Sequence, residues 1–349
     1  MKKKIIHVLA NDGSPLNISE QSIYGLDGRT GLGGAELFLL TLCRAWHDAG
    51  HKVVLYNDPT TPDGSVFEQK PIDSFIPHEK RDVVIIFRSP NERLTPLTKG
   101  QKVWLSCDQT TVGNFADFAS KVDKIVTISP NHAQFFKETY NITDTITIDI
   151  PVRDWEYEGV DVERVPYRCI FNSIPSRGVE PLRVAWARIV SECPQASLVI
   201  TSDWRLWTPF ATEKQIQRYK VLYADLPNVT YLGAVNRKDL IKHELKAQLH
   251  LYPCTYDELF CISVAETQVA GAYPITSTCG ALKTTNMGTQ ILGDVDSIEW
   301  NKKFTTTVVE YLNDQERLQR DALAVQKKAK ERFGLKRILE IWEKEVFND

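Results

Sequence analysis

The chain has 349 residues, of which 42% are hydrophobic and 25% charged, and its formal net charge is −3. This length predicts two domains rather than one, and the composition is that of a soluble globular protein. The small net charge gives no general attraction to nucleic acid. No apolar run approaches the roughly 18 to 20 residues that a membrane-spanning helix needs.

The cysteines predict a reducing compartment. There are seven of them, an odd number, and none stands in C-x-x-C spacing. This pattern argues against a zinc site and against a disulfide framework, and we expect a cytoplasmic protein. The segment Met1–Ala10 resembles a signal peptide, but its apolar part is only about six residues long, so a first β-strand explains it better.

Apolar, β-branched runs alternate with amphipathic segments of helical length in the first half of the chain. Strands are predicted at Lys4–Ala10, Lys52–Tyr56, Asp82–Phe87, Lys102–Ser106, Lys124–Ser129 and Thr145–Ile150. The clearest helices are predicted at Gly34–Ala49 and Pro130–Thr139. The run Val83–Phe87 is apolar throughout, which is typical of a parallel sheet covered on both faces.

The alternation then restarts in the second half. Strands are predicted at Tyr167–Ser173, Ser197–Ser202, Asn228–Leu232, Leu249–Pro253 and Tyr273–Ser277. Helices are predicted at Val179–Ser191, Thr212–Ala224, Arg237–Ala247 and Ile262–Ala270, and from Thr305 to the end with a break at Gly334. The predicted fold class is therefore α/β, with two Rossmann-like, doubly wound parallel-sheet domains.

The domain boundary is predicted within Pro151–Pro166, a stretch without clear periodicity. The predicted domains are residues 1–160 and 161–330, followed by a final helix over 331–349. Ligands of such folds bind at the carboxyl ends of the strands, so we expect a site in a cleft between the two domains.

Two carboxylates flank the start of one predicted helix. Glu258 precedes the helix on a loop, and Glu266 lies within it. The backbone N–H groups of Leu259, Phe260 and Cys261 lie between them, at a helix N-terminus that suits a phosphate. A nucleotide sugar would fit this arrangement, with a carboxylate at each end. Two surface glutamates spaced by chance are the alternative, and the position between two strands favours a site.

Three further residues could serve the same ligand. Gly33 and Gly34 open a helix after the long loop Asn11–Arg29 and would let a ligand approach the backbone; a loop that needs positive φ angles is the alternative. Arg177 lies at a helix N-terminus, where the helix dipole disfavours a cation. This position is explained if the Arg177 side chain reaches a phosphate; the alternative is a solvated surface arginine.

Polar residues follow several strands at the predicted carboxyl edges. Asp108 could contact an acceptor hydroxyl or cap a turn, and the same alternatives apply to Arg88. His132 begins a helix and could stabilise a leaving phosphate or contact a sugar, although a lone histidine is more often a structural or surface residue.

In the second half, Trp204 follows a strand and could line a base or sugar pocket, or belong to the core. Tyr231, Leu232 and Gly233 form a strand end whose backbone could contact a base, or simply a strand followed by a turn. Lys283 lies just beyond a glycine turn on the same edge.

Taken together, these motifs resemble the retaining GT-B glycosyltransferases, most closely glycosyltransferase family 4, over nearly the whole chain. Glu258 and Glu266 match the family's E-x7-E signature. The matching segments are Gly33–Glu36, Arg177–Gly178, Tyr231–Gly233, Glu258–Glu266 and Arg332–Trp342, the last of which resembles the helix that crosses back onto the first domain.

The resemblance implies a metal-independent enzyme without a cofactor that moves a sugar, with retention, from a nucleotide-diphosphate sugar to a glycan or another hydroxyl acceptor. Glu266 would hold the ribose hydroxyls. Glu258 and the N–H groups after it would contact the sugar and its phosphates. Arg177 would neutralise the diphosphate as it leaves. The implied mechanism is attack on the same face, assisted by the leaving phosphate.

The chain departs from the family pattern at three places. Asn172 stands where relatives carry an arginine, and Cys107 precedes Asp108 where relatives have His-Asp. Lys283 replaces an acidic residue and could supply positive charge. Two other functions stay open: a GT-B nucleotide-sugar epimerase, which needs no acceptor, and a non-catalytic sugar-nucleotide-binding relative.

Overall fold

The structure, a computed structural model, describes residues 2–10, 16–57, 65–206 and 211–348. The chain divides into two bodies. The first comprises Met1–Pro151 and Leu335–Asp349, and the second is Val152–Gly334. Among the described residues, no helix combines the length and the apolar character that crossing a membrane requires.

The first body is built on a seven-stranded parallel sheet. Its strands are β1 (Ile5–Leu9), β2 (Lys52–Tyr56), β3 (Glu68–Lys70), β4 (Val83–Phe87), β5 (Gln101–Leu105), β6 (Lys124–Thr127) and β7 (Ile146–Thr147). They are ordered β3-β2-β1-β4-β5-β6-β7 across the sheet. In the register of β1 and β2, Ile5 lies opposite Lys52 and Leu9 opposite Tyr56.

The helices of the first body cover this sheet. They are α1 (Glu20–Ile23), α2 (Gly34–Asp48), α3 (Phe115–Ala119) and α4 (Pro130–Tyr140). The start of α4 follows ordinary capping rules, because the Ser129 hydroxyl accepts a hydrogen bond from the His132 N–H at 3.0 Å and Pro130 occupies the first turn. Asn141 ends the helix in the left-handed conformation, at φ 57°.

The second body repeats the plan with a six-stranded parallel sheet, ordered β10-β9-β8-β11-β12-β13. Its strands are β8 (Arg168–Phe171), β9 (Ser197–Ile200), β10 (Val229–Tyr231), β11 (Leu249–Tyr252), β12 (Tyr273–Ser277) and β13 (Thr289–Ile291). Its helices are α5 (Val179–Glu192), α6 (Glu213–Leu222), α7 (Arg237–Lys246), α8 (Ile262–Ala270), α9 (Leu282–Thr285), α10 (Ile298–Asn313) and α11 (Gln315–Phe333).

The last segment of the chain packs in the first body. It consists of α12 (Leu335–Ile341) and a wider helical turn over Trp342–Phe347. The Trp342 ring meets the Trp46 ring edge-on at 5.1 Å between centroids. Glu343 Oε1 lies 2.7 Å from His51 Nε2.

The predicted α/β class and the two parallel sheets are confirmed. The predicted bounds of β2, β12 and α8 are those observed. The predicted strand Thr145–Ile150 is reduced to the two residues of β7, and the helix predicted from Thr305 begins at Ile298, after a Ser297 cap. The edge strands β3 and β13 were not predicted, because three-residue strands with polar side chains carry little periodicity.

Candidate functional site

The loop that leads into α8 is braced from the neighbouring turn after β12. The Ala281 N–H donates to the Glu258 carbonyl oxygen at 2.6 Å. Gly280 lies so close that a Cβ there would sit 2.5 Å from the Glu258 nitrogen and clash with its carbonyl oxygen. Its φ of +54° also suits glycine. The backbone of Glu258 is therefore held in place by a turn that requires a glycine.

Arg177, from the loop after β8, forms a partly buried ion pair with Glu258. Arg177 Nη1 lies 3.0 Å from Glu258 Oε1 and 3.1 Å from Oε2. The Tyr252 hydroxyl donates to the same Oε1 at 2.6 Å, and the guanidinium lies 4.2 Å from the centre of the Tyr256 ring. Burial alone would lower the pKa of Arg177, but the Glu258 charge outweighs it and raises that pKa. Arg177 is therefore permanently charged.

The position of Arg177 follows from the close approach of two loops. It ends a short 3₁₀ turn, Pro175–Arg177, and Gly178 then caps α5 at its N-terminus. A Cβ at Gly178 would lie 2.9 Å from the Pro253 carbonyl oxygen. The Thr255 N–H donates to the Arg177 carbonyl at 3.3 Å. The loops after β8 and β11 thus meet at the carboxyl edge of the second sheet, where the sequence predicts a site.

Glu266 lies on α8 and is buried in a chain of alternating charges. Its Oε1 is 2.7 Å from Arg237 Nη2, and Arg237 Nε is 2.8 Å from Glu156 Oε2. Glu156 Oε1 is in turn 2.7 Å from Arg153 Nε. All four side chains are no more than 6% exposed. Because removing charges from water is costly, this chain is stable only while each charge keeps its partners.

A third carboxyl, Glu244, lies beside this chain. Asn172 Nδ2 donates to Glu244 Oε1 at 2.7 Å, and the Tyr157 hydroxyl donates to Oε2 at 2.6 Å. Burial, followed by the negative charge of Glu266, raises the pKa of Glu244 to about 8. Glu244 is therefore protonated at neutral pH, and Asn172 serves as its hydrogen-bond partner.

A cavity of about 110 Å³ lies at the carboxyl ends of β9 and β10, where the sequence predicts a base pocket. Its lining residues include Asp203, Arg205, Ile216, Gln217, Lys220, Tyr231, Leu232 and Gly233. Trp204 lies in the adjoining turn, with its ring centroid 6.4 Å from that of Tyr219. The predicted residues of this pocket are thus close to one another in the second body.

The residues between the two glutamates contribute mainly backbone to this edge. Leu259 and Phe260 bury their side chains, and the Phe260 ring meets Phe333 edge-on at 5.6 Å. Cys261 precedes α8 at φ +74°, an uncommon angle for a residue other than glycine. Lys283, on α9, is exposed. A ligand at the start of α8 would therefore meet backbone N–H groups rather than the buried side chains of Leu259, Phe260 and Cys261.

The first body holds the other predicted residues. Arg88, at φ +69°, donates through Nε to Asp108 Oδ2, and its Nη1 lies 3.5 Å from Glu36 Oε1. Gly33 caps α2 at φ −66°, followed by Gly34, so the backbone at Gly33 does not require a positive φ. The cluster of Glu36, Arg88 and Asp108 lies at the carboxyl edge of the first sheet.

His132 is fully buried in the first body. Its ring meets Phe136 edge-on at 4.5 Å, and the Ile128 N–H donates to Nδ1 at 3.4 Å. Burial lowers the pKa of His132 to about 3, so the ring is neutral at physiological pH. Part of the predicted loop Asn11–Arg29, residues 11–15, lies outside the described residues.

Sequence reasoning missed the partners of the predicted glutamates. Arg237, Glu156 and Glu244 belong to no motif, and the sequence places them only in a predicted helix or in the predicted domain boundary. A cation in the first turn of α7 is unfavourable to the helix dipole, and this was the one available signal at Arg237. Across the described ranges, no three His, Cys, Asp or Glu side chains are grouped so that they could hold a metal ion.

Comparisons with solved structures show the fold. Sucrose-phosphate synthase from Thermosynechococcus elongatus superposes with a TM-score of 0.69 at 15% identity, over 99% of each chain. HepE from Anabaena, solved with UDP-glucose, gives 0.67 at 15% identity, over 98% of this chain and 99% of that one. AviGT4, a glycosyltransferase involved in avilamycin A biosynthesis, gives 0.66 at 17% identity, over 97% and 96%.

These likenesses extend over nearly the whole chain and confirm the predicted GT-B fold class. They are likenesses of fold, since the sequences have few residues in common. No model of a known protein family matches the chain, and no curated protein matches it in sequence.

Proposed function

We propose that the protein transfers a sugar from a nucleotide-diphosphate sugar to a hydroxyl group of an acceptor such as a glycan. The observation that carries this proposal is the arrangement around α8: Arg177 is paired with Glu258 on the loop before the helix, and Glu266 lies within it. A helix N-terminus beside an arginine suits a diphosphate, and a carboxylate suits the paired hydroxyls of ribose.

In the proposed reaction, the bond between the anomeric carbon and the diphosphate oxygen breaks, and the nucleoside diphosphate leaves with the electron pair. The acceptor oxygen forms the new bond to carbon on the same face, so the anomeric configuration is retained. The proton of the acceptor hydroxyl passes to the departing phosphate oxygen. Arg177 and the N–H groups at the start of α8 would stabilise the charge that develops on the diphosphate.

The contacts of Glu258 fit a role at the transferred sugar. Arg177 and Tyr252 both donate to its carboxylate, which fixes its orientation before any ligand arrives. A carboxylate accepts several hydrogen bonds, so sugar hydroxyls could donate to Glu258 as well. Arginine has five N–H donors, so Arg177 could keep Glu258 and still reach a phosphate oxygen.

Two finer points belong to the same proposal. The reaction would need no metal, because Arg177 supplies a permanent cation at the diphosphate, with the exposed Lys283 as a second candidate. The protein would work in the cytoplasm, because its seven cysteines are free thiols, and thiols stay reduced in such a compartment. That HepE was solved with UDP-glucose supports a nucleotide sugar as the ligand class.

The test is thermal unfolding of the full chain with UDP-, GDP-, ADP- and dTDP-sugars, each with and without EDTA. A ligand at 100 times its Kd adds about 2.7 kcal/mol, which raises Tm by a few degrees. We expect the sugars of one nucleotide family to raise Tm, and EDTA should not reduce this increase. The protein should then transfer the sugar of that donor to one member of a panel of hydroxyl acceptors. NMR of the product should show that the anomeric configuration is retained.

Glu266→Gln is the matched variant, with the exposed Glu331→Gln on α11 as its control. The first should lose the Tm shift because it weakens the ribose contact, and the second should keep it. The proposal fails if no nucleotide sugar raises Tm. Conversion of the donor to an epimer without any acceptor would instead support an epimerase.

A further inference from the structure

Arg237 is buried between two carboxylates. Its side chain is 4% exposed, and it contacts Glu266 through Nη2 and Glu156 through Nε. It stands in the first turn of α7, where the helix dipole opposes a positive charge. Burial also opposes that charge, so Arg237 depends on its two carboxylate partners. Its planar guanidinium can bind both at once, whereas the ammonium of a lysine is a single point charge.

The charges of this chain balance along its length. Arg153 and Arg237 are positive, and Glu156 and Glu266 are negative and paired with them. Glu244 adds no charge while it holds its proton. Arg237 is therefore the cation that lies directly against the buried Glu266 carboxylate.

The carboxylate oxygen of Glu266 nearest to Arg237 is Oε1, 2.7 Å from Nη2, and 5% of the Glu266 side chain stays exposed. A carboxylate has two oxygens, each with two lone pairs, so Oε2 can accept hydrogen bonds from a ligand while Oε1 stays with Arg237. A fixed carboxylate binds a diol more tightly than a mobile one, because less rotational freedom is lost on binding.

We propose that Arg237 is a positioning residue: it clamps Glu266 through Oε1 and Glu156 on its other side, so that Glu266 Oε2 faces the ribose hydroxyls of the nucleotide. This inference rests on the proposed function, because it assigns the ribose contact within the same donor site. Arg237 acts through Glu266 and need not touch the ligand.

The experiment compares ribose with 2′-deoxyribose in the full chain. Binding of UDP, GDP and ADP is measured by calorimetry, and the nucleotide that binds is then compared with its 2′-deoxy form. The wild type should prefer the ribonucleotide by about 10- to 100-fold, as expected for a hydrogen bond to a charged group. Arg237→Met should reduce this preference to that of Glu266→Gln and leave affinity for the deoxynucleotide nearly unchanged.

A merely structural role would give a different result, because a distorted site would bind both nucleotides more weakly. The exposed Arg218→Met is the matched control and should keep the full preference. If Arg237→Met does not fold, Arg237→Lys carries the test. The substituted lysine would keep a charge but not the two-sided fork, so the preference of this variant should fall between those of the wild type and Glu266→Gln.

The possible failures are distinct. If no nucleotide sugar raises Tm and the wild type binds none of the three nucleotides, the proposed function fails and this inference with it. If only a dTDP-sugar raises Tm, the proposed function stands and the ribose contact assigned to Glu266 is refuted. If the wild type prefers the ribonucleotide and the folded Arg237 variants prefer it equally, only the positioning role is refuted. Combining Arg237→Met with Glu266→Gln should add nothing to the loss from Glu266→Gln alone, because both changes remove one contact.

Discussion

Charged side chains gather at the carboxyl edge of each sheet, but they are held differently in the two bodies. In the first body, the side chains of Glu36, Arg88 and Asp108 are 23%, 26% and 28% exposed. In the second, the carboxylates Glu258 and Glu266 are 4% and 5% exposed, and each is paired with an arginine. Water therefore competes with the ion pairs of the first body far more than with those of the second.

This difference indicates where the molecule is organised before a ligand binds. A buried carboxylate with a fixed partner keeps its orientation, and a charge in a poorly hydrated site interacts more strongly with what enters it. The second body thus has the fixed, poorly hydrated charges that the proposed donor site requires. The cluster in the first body can rearrange, which suits contacts that form only with the acceptor.

The largest effect is expected from disturbing the brace behind Glu258. Gly280→Ala places a methyl group against the Glu258 backbone at a φ of +54°. Strain and overpacking together should lower the free energy of unfolding by about 4 kcal/mol, measured by urea denaturation. Gly159→Ala is the matched control, because Gly159 has a φ of +68° and open space around it. It should cost about 1 kcal/mol.

An equal loss of stability in Gly280→Ala and Gly159→Ala would mean that the turn after β12 can accommodate a methyl group. The second body would then not hold Glu258 as rigidly as its contacts indicate, and the contrast with the first body would weaken.

A direct comparison of the two edges comes from removing one arginine from each. Arg177→Met leaves the Glu258 carboxylate, 4% exposed, without its cation, and should lower the free energy of unfolding by about 3 kcal/mol. Arg88→Met leaves carboxylates that water can solvate, and should cost about 1 kcal/mol or less. Urea denaturation of both variants measures the difference.

The result that would contradict this comparison is a larger loss in Arg88→Met than in Arg177→Met. Salt provides an independent check. Raising the ionic strength screens the partly exposed ion pairs of Arg88, so the stability difference between Arg88→Met and the wild type should shrink. The corresponding difference for Arg177→Met should change little, because water and salt reach that ion pair less.

Sequence reasoning succeeds where one physical signal dominates. Runs such as Val83–Phe87 are apolar because both faces of a parallel strand are covered, so most strands could be located. The edges β3 and β13 carry no such signal. The loop-helix placement of Glu258 and Glu266 could also be predicted, because glycine and apolar periodicity mark the ends of α8.

The partners of these glutamates could not be predicted in the same way. Arg237 lies on α7 and Glu156 on a short turn far earlier in the chain, and no periodicity links them to α8. Their meeting depends on how α7 and that turn pack against α8. Likewise, nothing at Asn172 indicated that its amide would hold Glu244. Local patterns predict elements, whereas ion pairs between distant segments depend on tertiary packing.

An effect smaller than the loss of Arg177 is expected from the proton on Glu244. Its pKa is raised from an ordinary value of 4.5 to about 8, so between these values the folded state binds a proton that the unfolded state has released. The free energy of unfolding should therefore fall as pH rises through this range. Glu244→Gln cannot titrate, so its stability relative to the wild type should improve by roughly 2 kcal/mol between pH 6 and pH 8.

The contributions of the other titrating groups cancel in the stability difference between Glu244→Gln and the wild type. Buried histidines such as His132 and His250 destabilise the fold toward acid pH, since their pKa values are lowered to about 3, but they do so equally in both proteins. A constant stability difference from pH 6 to pH 8 would mean that Glu244 is already ionised. The buried chain would then carry an uncompensated negative charge beside Glu266, and the second body would lose the charge balance that distinguishes it from the first.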